Sequence, residues 1–139
     1  MTREAWDDLG PSLWPNFSYD EMSCKETGEN GMDAAFMEAL QRLRTRCDFP
    51  FVISSGYRSV NHSIEAAKDR PGAHTLGKAV DIKIYGNKAM RLLSEVFPSS
   101  QSGIYGIGVA QSGPVGSRYI HLDGILHNDR FPRPFIWSY

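Results

Sequence analysis

The sequence predicts an α+β fold in which a central, largely antiparallel sheet carries flanking helices. Three observations lead there. Phe36, Leu40, Leu43 and Cys47 recur at i, i+4, i+7 and i+11, which is one face of a helix. Residues 79–84 (AVDIKI) and 118–123 (RYIHLD) alternate between apolar and polar, the period of half-buried strands. Helical and strand segments are interleaved without a regular βαβ repeat, which disfavours a doubly wound parallel sheet.

At 139 residues the chain has the size of a single domain, 1–139, able to bury roughly two thirds of its unfolded surface without disulfides. Its 41% apolar and 12% aromatic content argues against disorder. The net charge is −1, so no basic footprint points to nucleic acid or an anionic membrane. No stretch approaches the roughly 18 apolar residues of a membrane span. The start, MTREAWDD, carries charges where a signal peptide needs an apolar run. The expectation is a soluble monomer made in the cytoplasm.

Residues 1–16 are rich in Trp, Pro, Gly and Asp and read as an irregular arm packed on the body through Trp6, Leu9, Leu13 and Trp14. Asp33 is placed to cap the helix bearing Phe36, since its carboxylate can accept from first-turn N–H groups. Arg42, Arg44 and Arg46 fall mostly off the apolar face and read as solvated. Pro50 forbids continuation. Residues 51–54 (FVIS) are β-prone and end in Ser55-Gly56-Tyr57-Arg58-Ser59. A short helix is expected over 61–68, broken by Pro71-Gly72. In the next strand Val80, Ile82 and Ile84 share one face and Asp81 takes the other. Asn87 is placed to cap a helix with Met90, Leu93 and Phe97 on one side, closed by Pro98. Strands over 104–109 and 118–123 follow, joined by a Gly/Ser/Pro loop over 110–117. Cys24 and Cys47 are too few for a zinc finger and too far apart for a redox pair, and read as buried apolar side chains in preference to a disulfide.

The chain has four histidines: His62, His74, His121 and His127. Ile120 and Leu122 take the core face of their strand, so Tyr119, His121 and Asp123 share the other. Burying Val80, Ile82, Ile84, Ile120 and Leu122 on one side of a common sheet brings Asp81 and His121 together on the opposite side. With His74, two imidazoles and a carboxylate then converge. A catalytic zinc takes such a donor set and keeps a fourth position for water, whose pKa it lowers toward about 7. From spacing alone, a hydrogen-bonded strand histidine and a turn-capping aspartate remain equal alternatives.

His74…Asp81…His121, with Ser55-Gly56-Tyr57-Arg58-Ser59 upstream, resembles the zinc D-Ala-D-Ala carboxypeptidase-like peptidases. That family shares its fold with the hedgehog signalling domain. The likeness runs from about Phe17 to Tyr139 and takes in Gly106-Ile107-Gly108-Val109, Ile120-His121-Leu122-Asp123 and a closing Arg133-Pro134-Phe135-Ile136-Trp137-Ser138-Tyr139. The closing segment is most similar to small phage and prophage members, among them L-alanyl-D-glutamate endopeptidase endolysins.

The resemblance implies one zinc ion held by His74, Asp81 and His121, with water activated on it as the nucleophile. It implies a peptidoglycan stem peptide as substrate and action at the bacterial cell wall, after release by phage lysis or on a virion. Arg58 would hold a substrate carboxylate or the developing oxyanion. Two positions depart from the pattern: Arg118 stands where an acidic general base is common, and Gly72 where a serine helps hold substrate. Asp123, on the same strand face as His121, is the candidate replacement base, or alternatively orients His121. Tyr119 is placed to donate to the oxyanion or, alternatively, to pack as an aromatic, and His62 to line the cleft near Arg58. His127 has no partners at ligand spacing. The competing expectation is a non-catalytic zinc-binding phage structural or wall-recognition module, which Arg118 supports.

Overall fold

The computed structural model describes residues 1–97 and 103–139. Its first element corrects the expectation of an irregular arm. Helix α1 (Arg3–Leu13) starts at Thr2, whose hydroxyl accepts from the Ala5 N–H at 3.1 Å. Trp6, Gly10 and Trp14 fall four residues apart on its inner side, and the two indoles meet edge to face at 5.3 Å. Gly10 has no Cβ to hold the rings away; one there would lie 2.9 Å from Trp14 Nε1. The Gly10-Pro11 pair, which reads as a break, sits inside the helix.

A one-turn helix α2 (Tyr19–Met22) is opened by a Ser18/Glu21 capping box. Helix α3 (Ala34–Cys47) begins at Asp33, which accepts from Phe36 N–H at 2.9 Å, and buries Phe36, Leu40, Leu43 and Cys47 as predicted. It ends on Asp48 in the left-handed region, two residues short of Pro50. Strand β1 (Val52–Ser55) follows, then α4 (Ser63–Ala66), a single turn of the helix expected over 61–68. A 3-10 turn over Ala73–Leu76 leads into β2 (Ala79–Lys83).

Helix α5 (Gly86–Val96) differs from expectation at its start and on its face. It is entered from Tyr85 rather than Asn87, and it buries Ala89, Leu92 and Val96. Met90 is 71% exposed and Phe97 48%. Ala89, Leu92 and Val96 also recur at helical spacing, and the packing of α5 on α3 selects that stripe. The stop expected at Pro98 lies outside the described residues. Strand β4 (Tyr119–Asp123) falls where alternation placed it, and β3 (Gly106–Ala110) overlaps the strand expected over 104–109. Strand β5 (Phe135–Ser138) was not predicted as a strand. Cys24 and Cys47 are both free and buried.

The five strands form one sheet in the order β1-β2-β4-β3-β5; β3 and β5 pair in parallel and every other neighbouring pair is antiparallel. On one face Val80, Ile82, Ile107, Ile120 and Leu122 join Phe36, Leu40, Leu43, Leu92 and Val96 in a single buried cluster. Each such aliphatic contributes roughly 1.5–3 kcal/mol by leaving water. That burial fixes the register, because a one-residue slip would turn the whole apolar set outward. The register in turn places Asp81 opposite His121, and His121 opposite Gly108, on the other face.

Candidate metal centre

The cluster is assembled from β2, β4 and the turn before β2. The turn is anchored on both sides. Gly77 (φ 71°) lies against the chain at Gly31, where a Cβ would stand 1.9 Å from the Gly31 carbonyl oxygen. His74 Nδ1–H donates to the Gly56 carbonyl at 2.8 Å, and Arg58 N–H donates to the His74 carbonyl at 3.2 Å. The Ser-Gly-Tyr-Arg-Ser segment therefore holds His74 at both its ring and its backbone.

Asp81 Oδ1 lies 3.0 Å from His121 Nδ1 and 3.3 Å from His74 Nε2, and one ligand atom from each of the three residues lies within 4.8 Å of the others. His74 and His121 are 8% and 4% exposed. The outer nitrogens are already committed: His74 Nδ1 to Gly56, and His121 Nε2 to Asp123 Oδ2 at 2.8 Å. In the neutral rings those commitments put the protons outside and aim both remaining lone pairs at a carboxylate oxygen. Three acceptors facing one point need a cation or a shared proton between them, and two imidazoles with one carboxylate are donors suited to zinc. The residues present therefore fit that ion.

The titration behaviour follows the same geometry. Burial alone would raise the Asp81 carboxyl, but His121 and His74, when protonated on the nitrogens that face it in the absence of metal, outweigh burial and hold the group well below the usual carboxylate range. For His121 burial favours the neutral ring, and the bonds to Asp123 and Asp81 reverse that, raising its pKa. Burial likewise opposes ionisation of Asp123, and His121 with Arg133 overcomes it.

Asp123 is not placed as a base. Its residue is 0% exposed; Oδ2 takes His121 Nε2 and Arg133 Nη2 (2.7 Å), while Oδ1 takes Arg133 Nε (2.9 Å) and Ile125 N–H (3.3 Å). It lies behind His121, bonded to the nitrogen turned away from Asp81, so the expectation of a proton acceptor beside the open side of the cluster is corrected. Gly106 makes room for it: a Cβ there would stand 2.4 Å from the carboxylate. Gly108 does the same for the Trp137 indole, at 2.7 Å.

The cluster opens into a cleft of about 520 Å³. One wall is aromatic, with Phe135, Trp137 and Tyr139 from β5 and its end, and Tyr119 from β4. Burial, with the neighbouring Tyr139, pushes the Tyr119 phenol up to about 12, so it stays a donor at neutral pH. Arg58, Lys68 and Arg130 also line the cleft. Arg58 stands in the cleft wall, its Nη1 bonded to Glu65 Oε1 at 3.1 Å.

His62 does not line this cleft, contrary to expectation. Its Nδ1 accepts from Ile64 N–H to cap α4 and its Nε2 lies 3.0 Å from Glu26, because helix capping turns the ring away. Arg118 sends its Nε to the Gly113 carbonyl at 3.0 Å, also outside the cleft wall. At Gly72 an added Cβ would meet Lys68 Nζ at 3.1 Å and Glu65 Oε2 at 3.3 Å, so these two side chains occupy the place of a residue-72 side chain.

Glu65, Lys68, Arg130 and Arg133 were not singled out from the sequence as site residues. The signal for Lys68 is its i,i+3 spacing from Glu65; the Asp123–Arg133 pair spans a loop and has no periodic signature. Glu65 is 3% exposed, and its carboxylate is held by the Gly72 N–H, Lys68 and Arg58, which overcome burial and lower it to about 2.

Compared with known proteins, residues 15–123 match the family described as peptidase M15. That span contains His74, Asp81, His121 and Asp123, and stops short of Arg130, Arg133 and Trp137. No curated protein and no solved structure matches the chain.

Proposed function

The chain belongs to the peptidase M15 family, whose members are zinc peptidases, and on that premise we propose that it hydrolyses a peptide bond in the stem peptides of bacterial peptidoglycan. The observation that carries this reading is the convergence of His74 Nε2, Asp81 Oδ1 and His121 Nδ1 at the floor of an open cleft. Bound there, zinc would supply Lewis acidity, polarising a carbonyl and acidifying water.

The chain's own groups do the rest. His74 and His121 keep their protons on the outer nitrogens through Gly56 and Asp123, so their inner lone pairs stay available. Asp123 acts by orienting His121, and Arg133 keeps that buried carboxylate ionised. Arg58, braced by Glu65, presents a fixed planar cation to the carbonyl oxygen as charge builds on it. The Tyr119 phenol is a second donor lining the cleft. The aromatic wall excludes water from one flank of the substrate and packs its apolar parts.

The test is digestion of purified peptidoglycan by the zinc-loaded chain, with new termini identified by mass spectrometry. Release of a D-alanine end group assigns carboxypeptidase action, and internal cuts assign endopeptidase action. A second reading, a zinc-binding wall-recognition module without turnover, is favoured by one observation: among the described residues, Asp81 is the one carboxylate lining the cleft. Zinc-loaded protein that binds the wall and releases no new ends across pH 6–9 would establish that reading instead.

A further inference from the structure

The cleft is electrically lopsided. Arg58, Lys68 and Arg130 lie along its wall, in a chain whose net charge is −1. Arg58 Nη1 and Lys68 Nζ share a single carboxylate oxygen, Glu65 Oε1, at 3.1 and 2.9 Å, and the second oxygen of Glu65 is spent on the Gly72 N–H at 2.7 Å. That carboxylate is 1% exposed, so it braces the two cations from behind and leaves their outer sides to the cleft. Two positive charges on one buried negative charge leave a surplus of one.

Arg130 adds another. Among the described residues it has no carboxylate partner. It is nevertheless positioned: Nη2 donates to the Arg70 carbonyl at 3.2 Å, its guanidinium lies 5.0 Å from the Phe131 ring centre, and its N–H donates to Asn128 Oδ1 at 3.0 Å. The bond to Arg70 draws it from the loop after β4 onto the segment that carries Lys68. Arg58, Lys68 and Arg130 thus line the cleft with Glu65 as their one buried countercharge, beside the aromatic side chains that also line it. A cleft lined by cations and low-dielectric side chains focuses the field onto whatever enters it.

We propose that Lys68 and Arg130 form an anion subsite that takes a carboxylate of the peptide substrate, separate from the carbonyl being cleaved. The inference rests on the peptidase reading of the same cleft. A peptide can bring a carboxylate there from two sources, a free C-terminus or an acidic side branch, and the two are chemically alike to an arginine fork. Arg130 in this role sets specificity and takes no part in bond breaking.

The experiment uses the zinc-loaded full chain and three synthetic stem peptides: L-Ala-γ-D-Glu-L-Lys-D-Ala-D-Ala, the same peptide amidated at its C-terminus, and the same peptide amidated at the D-Glu α-carboxyl. Affinities are measured by calorimetry, and each sample is then assayed for cleavage by mass spectrometry. One of the two amidations is expected to weaken binding about tenfold, as removal of a charge-assisted contact does. The penalty is expected to fall to about twofold or less in Arg130→Gln and in Lys68→Gln, with zinc content unchanged. Which amidation carries the penalty identifies the source of the carboxylate. Equal affinities for all three peptides, a penalty that survives in both variants, or no binding at millimolar peptide would each overturn the subsite. Discrimination without cleavage would leave the subsite standing and defeat the peptidase reading; cleavage without discrimination would do the reverse.

Discussion

Asp123→Asn separates the two roles a carboxylate beside His121 can have. The substitution keeps shape and removes charge. Four donors converge on the carboxylate, with His121 Nε2 and Arg133 Nη2 on Oδ2, and Arg133 Nε and Ile125 N–H on Oδ1. An amide can offer its oxygen to one pair only, and its NH2 must then face the other pair. If the oxygen stays with His121, Arg133, whose side chain is 6% exposed, loses half of its bidentate partner and all of its countercharge. Leaving one member of a buried ion pair uncompensated costs about 3–5 kcal/mol. If the oxygen turns to Ile125, the His121 ring loses the contact that fixes its tautomer, and loss of such a support typically weakens metal binding 10–100-fold. The assay is zinc competition against a chromophoric chelator, paired with urea unfolding of the metal-free protein. Zinc affinity within about twofold of the parent, stability within ~0.5 kcal/mol and a collapsed kcat would refute the reasoning and restore Asp123 as the base.

Three further outcomes are expected. His74→Ala removes one of three donors, so elemental analysis should find little zinc, and the stabilisation by excess metal, about 2.7 kcal/mol at a hundredfold over Kd, should vanish from thermal unfolding. Gly106→Ala drives a methyl to 2.4 Å from the Asp123 carboxylate and should cost at least 1–3 kcal/mol in urea unfolding, together with weakened zinc binding. Glu65, lowered from 4.5 to about 2 in the fold, contributes stability that is complete above pH 4.5 and lost as pH falls through 2. In chelator-treated protein the gap between parent and Glu65→Gln should therefore reach up to about 3 kcal/mol at pH 7 and close between pH 4.5 and 2; a gap independent of pH would contradict that origin.

What the sequence disclosed and what it withheld divide along physical lines. The strands bearing Asp81 and His121 were legible because one face is buried and alternation records it. Their cross-strand pairing then followed from a shared apolar face. Helix α3 was legible through its cap and stripe. Helix α5 was misplaced by one residue because Met90, Leu93 and Phe97 make as plausible a stripe as Ala89, Leu92 and Val96, and only contact with α3 decides between them. Helix α1 was hidden because Gly10-Pro11 mimics a break. The cluster was readable from residue types, whereas its surroundings were not: Glu65, Arg130 and Arg133 reach their partners through tertiary folding that leaves no periodic trace. His62 misled because proximity in sequence to Arg58 says nothing of which way a capping side chain turns.

Strand β5 sits at the margin of the sheet, held on one side only by its parallel neighbour β3. Phe135, Ile136 and Tyr139 on or beside it are about half or more exposed, so it has little apolar burial to keep it docked. Yet the segment it anchors supplies the guanidinium that countercharges Asp123 and the indole that flanks His121, 5.2 Å away. Detaching such a margin takes far less free energy than melting the protein. It would strip the support from one ligand and widen the mouth, while the three central strands stayed intact. The support of His121 thus comes in part from the edge of the sheet, and not from its interior alone.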